Sequence, residues 1–203
     1  MLLSKIIGVI SPQKLKSYKK KQIIKYITAN SKLIKNNSIY VADFKKNIKK
    51  TFVDEAINNG AVAILTNKKI KDLNVTQLIV KNLPQTVDLI LHILKPFAPK
   101  NIIGVTGTNG KTSVVWLLSN ILKTSGLDVR SIGTLGYYKN LKKISEAFLT
   151  TPEKEELHQL SYLSSPKKIE LIFEVSSHGI SKKRIKNFPI NIAAITNITQ
   201  DHL

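Results

Sequence analysis

The chemistry of this chain is concentrated first in Gly104-Val105-Thr106-Gly107-Thr108-Asn109-Gly110-Lys111-Thr112, which follows an apolar stretch and precedes an amphipathic one. Glycines let such a loop curl until its backbone N–H groups converge. The start of the following helix then adds the positive end of its dipole, which suits the phosphates of a nucleoside triphosphate such as ATP. Lys111 is expected to reach the β and γ phosphates, and Thr112 to offer its hydroxyl to Mg²⁺. Gly107, Thr108, Asn109, Gly110 and Ser113 complete the expected nucleotide contacts. Val105 stands where the strict Walker pattern has glycine, so the loop is a variant. A glycine-rich turn without a ligand is the plain alternative, and the lysine after the last glycine speaks against it.

A second cluster, Phe173-Glu174-Val175-Ser176-Ser177-His178-Gly179, puts a carboxylate near the end of an apolar run, followed by hydroxyls and an imidazole. A buried carboxylate needs compensation. Mg²⁺ carried on a nucleotide would supply it, with Glu174 as an oxygen ligand opposite Thr112. The alternative is a strand-end glutamate paired with one of the many lysines. A third cluster, Thr196-Asn197-Ile198-Thr199-Gln200-Asp201-His202-Leu203, again follows an apolar run, and Asp201 and His202 could approach a metal. Ser176, His178 and Asp201 also spell a hydrolase triad, but no nucleophile elbow surrounds the serine, and that reading is set aside.

These clusters need strands to present them. Ile102 to Val105, Ile169 to Val175 and Ile192 to Thr196 read as strands. The last two are near-continuous apolar runs suited to a parallel sheet covered on both faces. Val114, Leu117, Leu118, Ile121 and Leu122 form an apolar stripe at helical spacing, ended by Gly126, with Trp116 off the stripe in a packing role. Upstream, Ile23 to Thr28, Ile39 to Ala42, Ala61 to Leu65 and Leu78 to Val80 read as strands. Phe52 to Asn59 is read as a helix stopped by Gly60, and Pro84 opens a helix reaching about Leu94. Pro96 and Pro99 mark a boundary. The expected fold is α/β: a small N-terminal α/β domain over 1–97, then an incomplete P-loop-type central domain over 98–203 with a mainly parallel sheet. Ligands in such sheets gather beyond the carboxyl ends of the strands, where all three clusters lie.

Composition sets outer bounds. The 203 residues are 42% hydrophobic, enough for a core, and contain no cysteine, so disulfides and thiolate sites are excluded. No apolar run reaches membrane-spanning length and no signal peptide is read, so a cytoplasmic protein without membrane association is expected. The net charge of +19 comes almost wholly from lysine, Arg130 and Arg184 being the only arginines. Base reading usually recruits arginine, so no nucleic-acid partner is expected, although a nucleic-acid-linked ATPase remains an alternative.

Taken in order, Gly107 to Thr112, Leu149-Thr150-Thr151-Pro152, Glu174 to Gly179 with Arg184, and Thr196-Asn197 with Asp201-His202-Leu203 resemble the Mur ligases. Within them they resemble the MurE branch, which adds diaminopimelate or lysine to UDP-N-acetylmuramoyl-L-alanyl-D-glutamate in peptidoglycan synthesis. Other Mur ligases, folylpolyglutamate synthetases and a non-catalytic nucleotide-sugar-binding module are the alternatives. The resemblance implies an ATP- and Mg²⁺-dependent enzyme acting through an acyl-phosphate on the muramoyl-dipeptide and a diamino acid, and a monomer is expected. It implies Lys111, Glu174 and His202 as catalytic residues, with Thr112, Glu174 and His202 holding metal and Asn197 at the nucleotide. It further implies substrate contacts from Thr150, Thr151, Ser176, Lys182 and Arg184, with Lys182 standing where relatives often carry glutamine. Ser31, Lys46 and Asn47 are the implied contacts to the uridine nucleotide. Family members continue past the Asp-His-Leu element with a carbamylated lysine and an amino-acid-binding domain, so these 203 residues alone are expected not to ligate.

Overall fold

The structure is a computed structural model that describes residues 1–16, 21–46, 48–163 and 166–199. The chain divides into two compact units, Met1–Pro96 and Phe97–Leu203. The first contains α1 (Leu3–Ile10), β1 (Lys14–Lys16), β2 (Tyr26–Thr28), β3 (Ser38–Ala42), α2 (Lys50–Asn58), β4 (Ala61–Thr66), β5 (Thr76–Ile79) and α3 (Leu83–Leu94). Its sheet runs in the order β1-β5-β4-β3-β2, parallel except for the antiparallel β1.

Strand alternation divides the core of this unit in two. Ile39, Val41, Ala63 and Leu65 face one way, with Leu3 and Ile6 of α1 and Val87, Ile90 and Leu91 of α3. Tyr40, Ala42 and Ile64 face the other way, with Val53 and Ala56 of α2. Successive side chains of a strand point to opposite faces, so apolar runs buried on both sides are what a sheet covered on both faces requires. α3 begins as its sequence suggests: Pro84 lies in the first turn and the Asn82 side chain accepts a hydrogen bond from Gln85 N–H. The strand expected from Ile23 to Thr28 shrinks to β2. Its first half is held by the chain start instead, with Ile24 N–H donating to Met1 O at 2.7 Å and Ile23 bridging to Leu2.

The second unit contains β6 (Asn101–Thr106), α4 (Lys111–Thr124), β7 (Val129–Gly133), β8 (Gly136–Lys139), β9 (Lys142–Ser145), α5 (Lys154–Ser161), β10 (Glu170–Glu174), α6 (Ser177–Ser181) and β11 (Ile192–Ile195). Its sheet is ordered β11-β6-β10-β7-β8-β9. The first four are parallel, and β8 and β9 extend the edge as antiparallel strands. Ile103, Val105 and Ile172 pack with Val115 of α4. Ile102, Leu171 and Phe173 pack on the opposite face with Leu157 of α5.

Two expectations are corrected. β11 is an edge strand, and Ile192 and Ile195 are exposed rather than covered on both faces. The buried face of α4 is Val114, Val115, Leu118, Ser119 and Leu122, whereas Leu117 and Ile121 are each 61% exposed. The small Ser119 takes a core position because its hydroxyl is satisfied within the helix by Val115 O at 2.6 Å. The hairpin β8–β9 was not legible, since it turns through Asn140 and Leu141, both at positive φ, without the glycine that usually signals such a turn. α5 was also missed. Arg130 fixes its C-terminal end by donating to Leu160 O and Ser161 O at 2.5 and 3.2 Å.

Candidate active site

Strand parity places the carboxylate. In β10, Ile172 points toward α4, so Glu174 two residues later points the same way, at the carboxyl end of the strand and paired in register with Val105. Val105 itself is fully buried inside β6, so the position that is glycine in the strict Walker pattern belongs here to a core strand, and the loop proper starts at Gly107.

Glu174 is 1% exposed and its carboxylate accepts three hydrogen bonds. Thr134 N–H donates to Oε1 at 2.8 Å, while the hydroxyls of Thr112 and Thr134 donate to Oε2 at 2.9 and 3.2 Å. No lysine is among these partners, which removes the simple ion-pair alternative. Gly133 makes the arrangement possible, because a Cβ there would lie 2.1 Å from Glu174 Oε1. Sequence reading missed Gly133 and Thr134, because Val129-Arg130-Ser131-Ile132 ahead of them carries a charge and a hydroxyl and gives no apolar run to mark a strand end.

The loop is tied from outside. Gly107 at φ +134° passes so close to the end of β11 that a Cβ would lie 2.1 Å from Thr196 Oγ1. Asn197 reads the backbone of Asn109 twice, accepting from its N–H at 3.0 Å and donating to its carbonyl at 3.1 Å. Thr196 Oγ1 donates to Asn109 O at 2.6 Å, and Thr108 N–H to Asn197 O at 3.2 Å. The Asn197 amide is thus engaged with the loop, where a direct nucleotide contact was expected. The Lys111 ammonium folds over the loop, donating to Gly107 O and, at 2.9 Å, to Thr108 O. Ser113 lies exposed in the first turn of α4.

Across the site lies a second cluster, built on Thr151, Ser176 and Arg184. Thr151 is fully buried, and its hydroxyl donates to Glu174 O at 2.9 Å while accepting from Ser176 N–H at 2.8 Å. Ser176 caps α6 by accepting from Gly179 N–H at 3.1 Å. Buried Arg184 donates to Thr151 O at 3.0 Å and pairs with Glu153 at 2.9 Å. Thr151 and Arg184 therefore shape the wall, while Thr150, Ser176 and exposed Lys182 face the opening. Lys111, Thr112, Thr134, Thr150, Glu174, Ser176, His178, Lys182 and Arg184 line one cleft of about 530 Å³ together with Thr108, Asn109 and Gly110.

The donor set suits a hard cation arriving on phosphates: Glu174 and Thr112 offer oxygen, and Thr112 spends its proton on the carboxylate, leaving its lone pairs free. Among the described residues no group of three or more His, Asp or Glu could hold a metal alone. His202 and Asn47 lie outside the described residues, as does the Lys46 side chain, whose backbone closes a short 3₁₀ turn at Phe44–Lys46. In the first unit Ser31 is buried and donates to Glu55 Oε2 at 2.5 Å, so its hydroxyl ties a 3₁₀ turn to α2. Among the described residues no helix is long and apolar enough to cross a membrane.

Residues 105–203 match the model of the Mur ligase middle domain. A UDP-N-acetylmuramoyl-L-alanyl-D-glutamate--2,6-diaminopimelate ligase of Rickettsia montanensis is 33% identical over 188 residues, which is 89% of this chain and 39% of that protein. The like-named ligase of Fusobacterium nucleatum subsp. nucleatum is 35% identical over 182 residues, 87% of this chain and 37% of that protein. The chain thus spans about two fifths of the length of these relatives. A solved structure of a ligase of the same name superposes with a TM-score of 0.65 at 23% identity, covering 100% of this chain and 41% of that one. The MurF ligase of Thermotoga maritima, solved with ADP, gives 0.56 at 24% identity over 88% of this chain and 39% of that one, so both share the fold.

Proposed function

The chain belongs to the Mur ligase family, its residues 105–203 carrying the middle domain, and from that membership we propose that it serves an ATP-dependent amide ligation of the MurE type. The reaction adds meso-diaminopimelate or L-lysine to UDP-N-acetylmuramoyl-L-alanyl-D-glutamate through an acyl-phosphate. One observation carries the proposal: the phosphate loop and the Thr150, Ser176 and Arg184 wall share one cleft, with the Glu174 carboxylate between them.

In this reading the loop amides and Lys111 hold the nucleotide phosphates, and Lys111 balances the charge that spreads over the transferring phosphoryl oxygens. Mg²⁺, held by Thr112 and Glu174, would supply further charge neutralisation there. Arg184 and Lys182 put positive charge on the opposite wall, where the substrate carboxylate is presented in line with the phosphoryl group. We infer that the first unit receives the uridine nucleotide beyond the carboxyl ends of β3 and β4, where Asp43 Oδ1 accepts from Asn67 Nδ2 at 2.6 Å.

The test is product analysis with the full-length protein. Incubation with MgATP, UDP-muramoyl-dipeptide and diaminopimelate or lysine should yield ADP, phosphate and a new amide by mass spectrometry. Lys111→Ala should abolish it. Nucleotide hydrolysis indifferent to the muramoyl-dipeptide, with no amide product, would overturn the proposal.

A further inference from the structure

Each hydroxyl in the cleft has one proton to give, and the partners fix where each proton goes. A carboxylate and a carbonyl only accept. Thr134 Oγ1, 3.2 Å from Glu174 Oε2, therefore donates to Glu174. Thr150 Oγ1, 3.1 Å from Thr134 Oγ1, must then donate to Thr134, whose own proton is spent. On the other side Thr151 gives its proton to Glu174 O, so Ser176 Oγ, 3.1 Å away, must donate to Thr151. Ser176 also accepts from Gly179 N–H. Every hydroxyl proton along the wall runs inward, toward Glu174.

We propose that Thr134 is a positioning residue that orders Thr150, so that Thr150 and Ser176 meet the substrate with oxygen lone pairs alone and select a ligand carrying N–H donors. The two halves of the cleft then divide the substrate between them. Lys111, Lys182 and Arg184 supply positive charge for carboxylate and phosphate oxygens. Thr150 and Ser176 take the complementary groups, which on a peptidyl ligand are its amide N–H groups. A carboxylate placed against this pair would face oxygen with no proton between them. The hydroxyls alone do not dictate this sense, since a free threonine donates or accepts. Thr134 removes the choice for Thr150, as Thr151 does for Ser176.

This inference rests on the ligase reading, and the experiment separates their failures. Binding of UDP-N-acetylmuramoyl-L-alanyl-D-glutamate and of UDP-N-acetylmuramic acid to the full-length protein is measured by calorimetry, with magnesium ADP as a reference ligand. Thr134→Val keeps the shape and the backbone N–H but frees the Thr150 proton. Thr150 can then still accept from an amide N–H and can also donate. The dipeptide ligand should therefore bind about as before, a depsipeptide ligand with ester oxygen replacing the amide N–H should gain roughly tenfold, and UDP-N-acetylmuramic acid should be unchanged. Thr134→Ser should restore the wild-type value. The wild type should bind that depsipeptide ligand roughly tenfold more weakly than the natural amide ligand, a comparison that needs no variant to fold. Equal binding of amide and ester ligands by the wild type, or of the ester ligand by wild type and Thr134→Val, overturns the inference alone. A wild type that binds neither the muramoyl-dipeptide nor magnesium ADP overturns it together with the ligase reading.

Discussion

The Thr112 hydroxyl donates to Glu174 Oε2 at 2.9 Å although 62 positions separate the two residues in the chain. The bond joins the first turn of α4 to the end of β10, so the phosphate loop and the buried carboxylate share one rigid junction. Glu174→Gln keeps the size of the side chain but brings an NH₂ group toward three donors. At least one donor loses its acceptor, at a cost of about 1–3 kcal/mol, or a fall of about 4–24 °C in the melting temperature of a domain of roughly 100 residues. Calorimetry should show that fall, and magnesium should no longer strengthen ADP binding. An unchanged melting temperature would refute the three-donor account of Glu174.

Gly133 bears on the same carboxylate from the neighbouring strand. Gly133→Ala would bring a methyl group to 2.1 Å from Glu174 Oε1 and 2.7 Å from its Cδ and Cγ, so the carboxylate would have to leave the position its three donors hold. Overpacking of this kind costs about 1–3 kcal/mol. Thermal denaturation should register the loss, and the magnesium dependence of nucleotide binding should fall with it. A fully stable Gly133→Ala protein with normal magnesium dependence would show that Glu174 has room to move.

Asn197 holds Asn109 by both of its amide atoms. Asn197→Ala removes two hydrogen bonds, worth about 1–3 kcal/mol together, from a loop that must be ordered before phosphates bind. ADP affinity should drop roughly tenfold by titration calorimetry. Asn197→Asp keeps the acceptor facing Asn109 N–H but sets a carboxylate oxygen against Asn109 O, so its affinity should fall at least as far.

Tyr137 is expected to set an alkaline limit on stability. Burial raises its phenol above the ordinary value of 10.0, and the nearby Glu156 carboxylate pushes in the same direction. Above pH 10.0 the unfolded chain releases this proton while the folded chain retains it, so the unfolded state binds fewer protons and stability falls as pH rises. The contribution is fully present below pH 10.0 and declines above it. Melting temperatures recorded from neutral pH to above that value should fall less steeply for Tyr137→Phe than for the wild type. Parallel curves would remove Tyr137 as the cause.

Much of the site was legible because its signals are local. Gly107 to Thr112 declares a loop by glycine spacing, and Glu174 declares itself as a carboxylate at the end of an apolar run. Thr134 and Gly133 give no comparable signal, since an ordinary Gly-Thr pair acquires its role only when β7 pairs with β10 and lies beside Glu174. The same limit explains the helix α4. Leu117 and Ile121 have the right spacing for a core stripe, yet the sheet meets the face carrying Val115 and Ser119, and a serine is a poor sequence marker for burial. For β11, apolarity suggested the middle of the sheet, whereas strand order put it at the rim. Pairing partners are set by topology, and a strand's own composition does not name them.

The clamp between Asn109 and Asn197 also imposes an order on synthesis. The phosphate-loop motif has been fully translated by Thr112, but its outer hydrogen bonds come from Thr196, Asn197 and Thr199, with Thr199 N–H donating to Thr108 Oγ1 at 3.0 Å. A nascent chain therefore carries the complete motif on the ribosome well before the loop can hold its folded shape. A product of premature termination ahead of Thr196 would score as a nucleotide binder by its motif and lack the clasp that closes the loop.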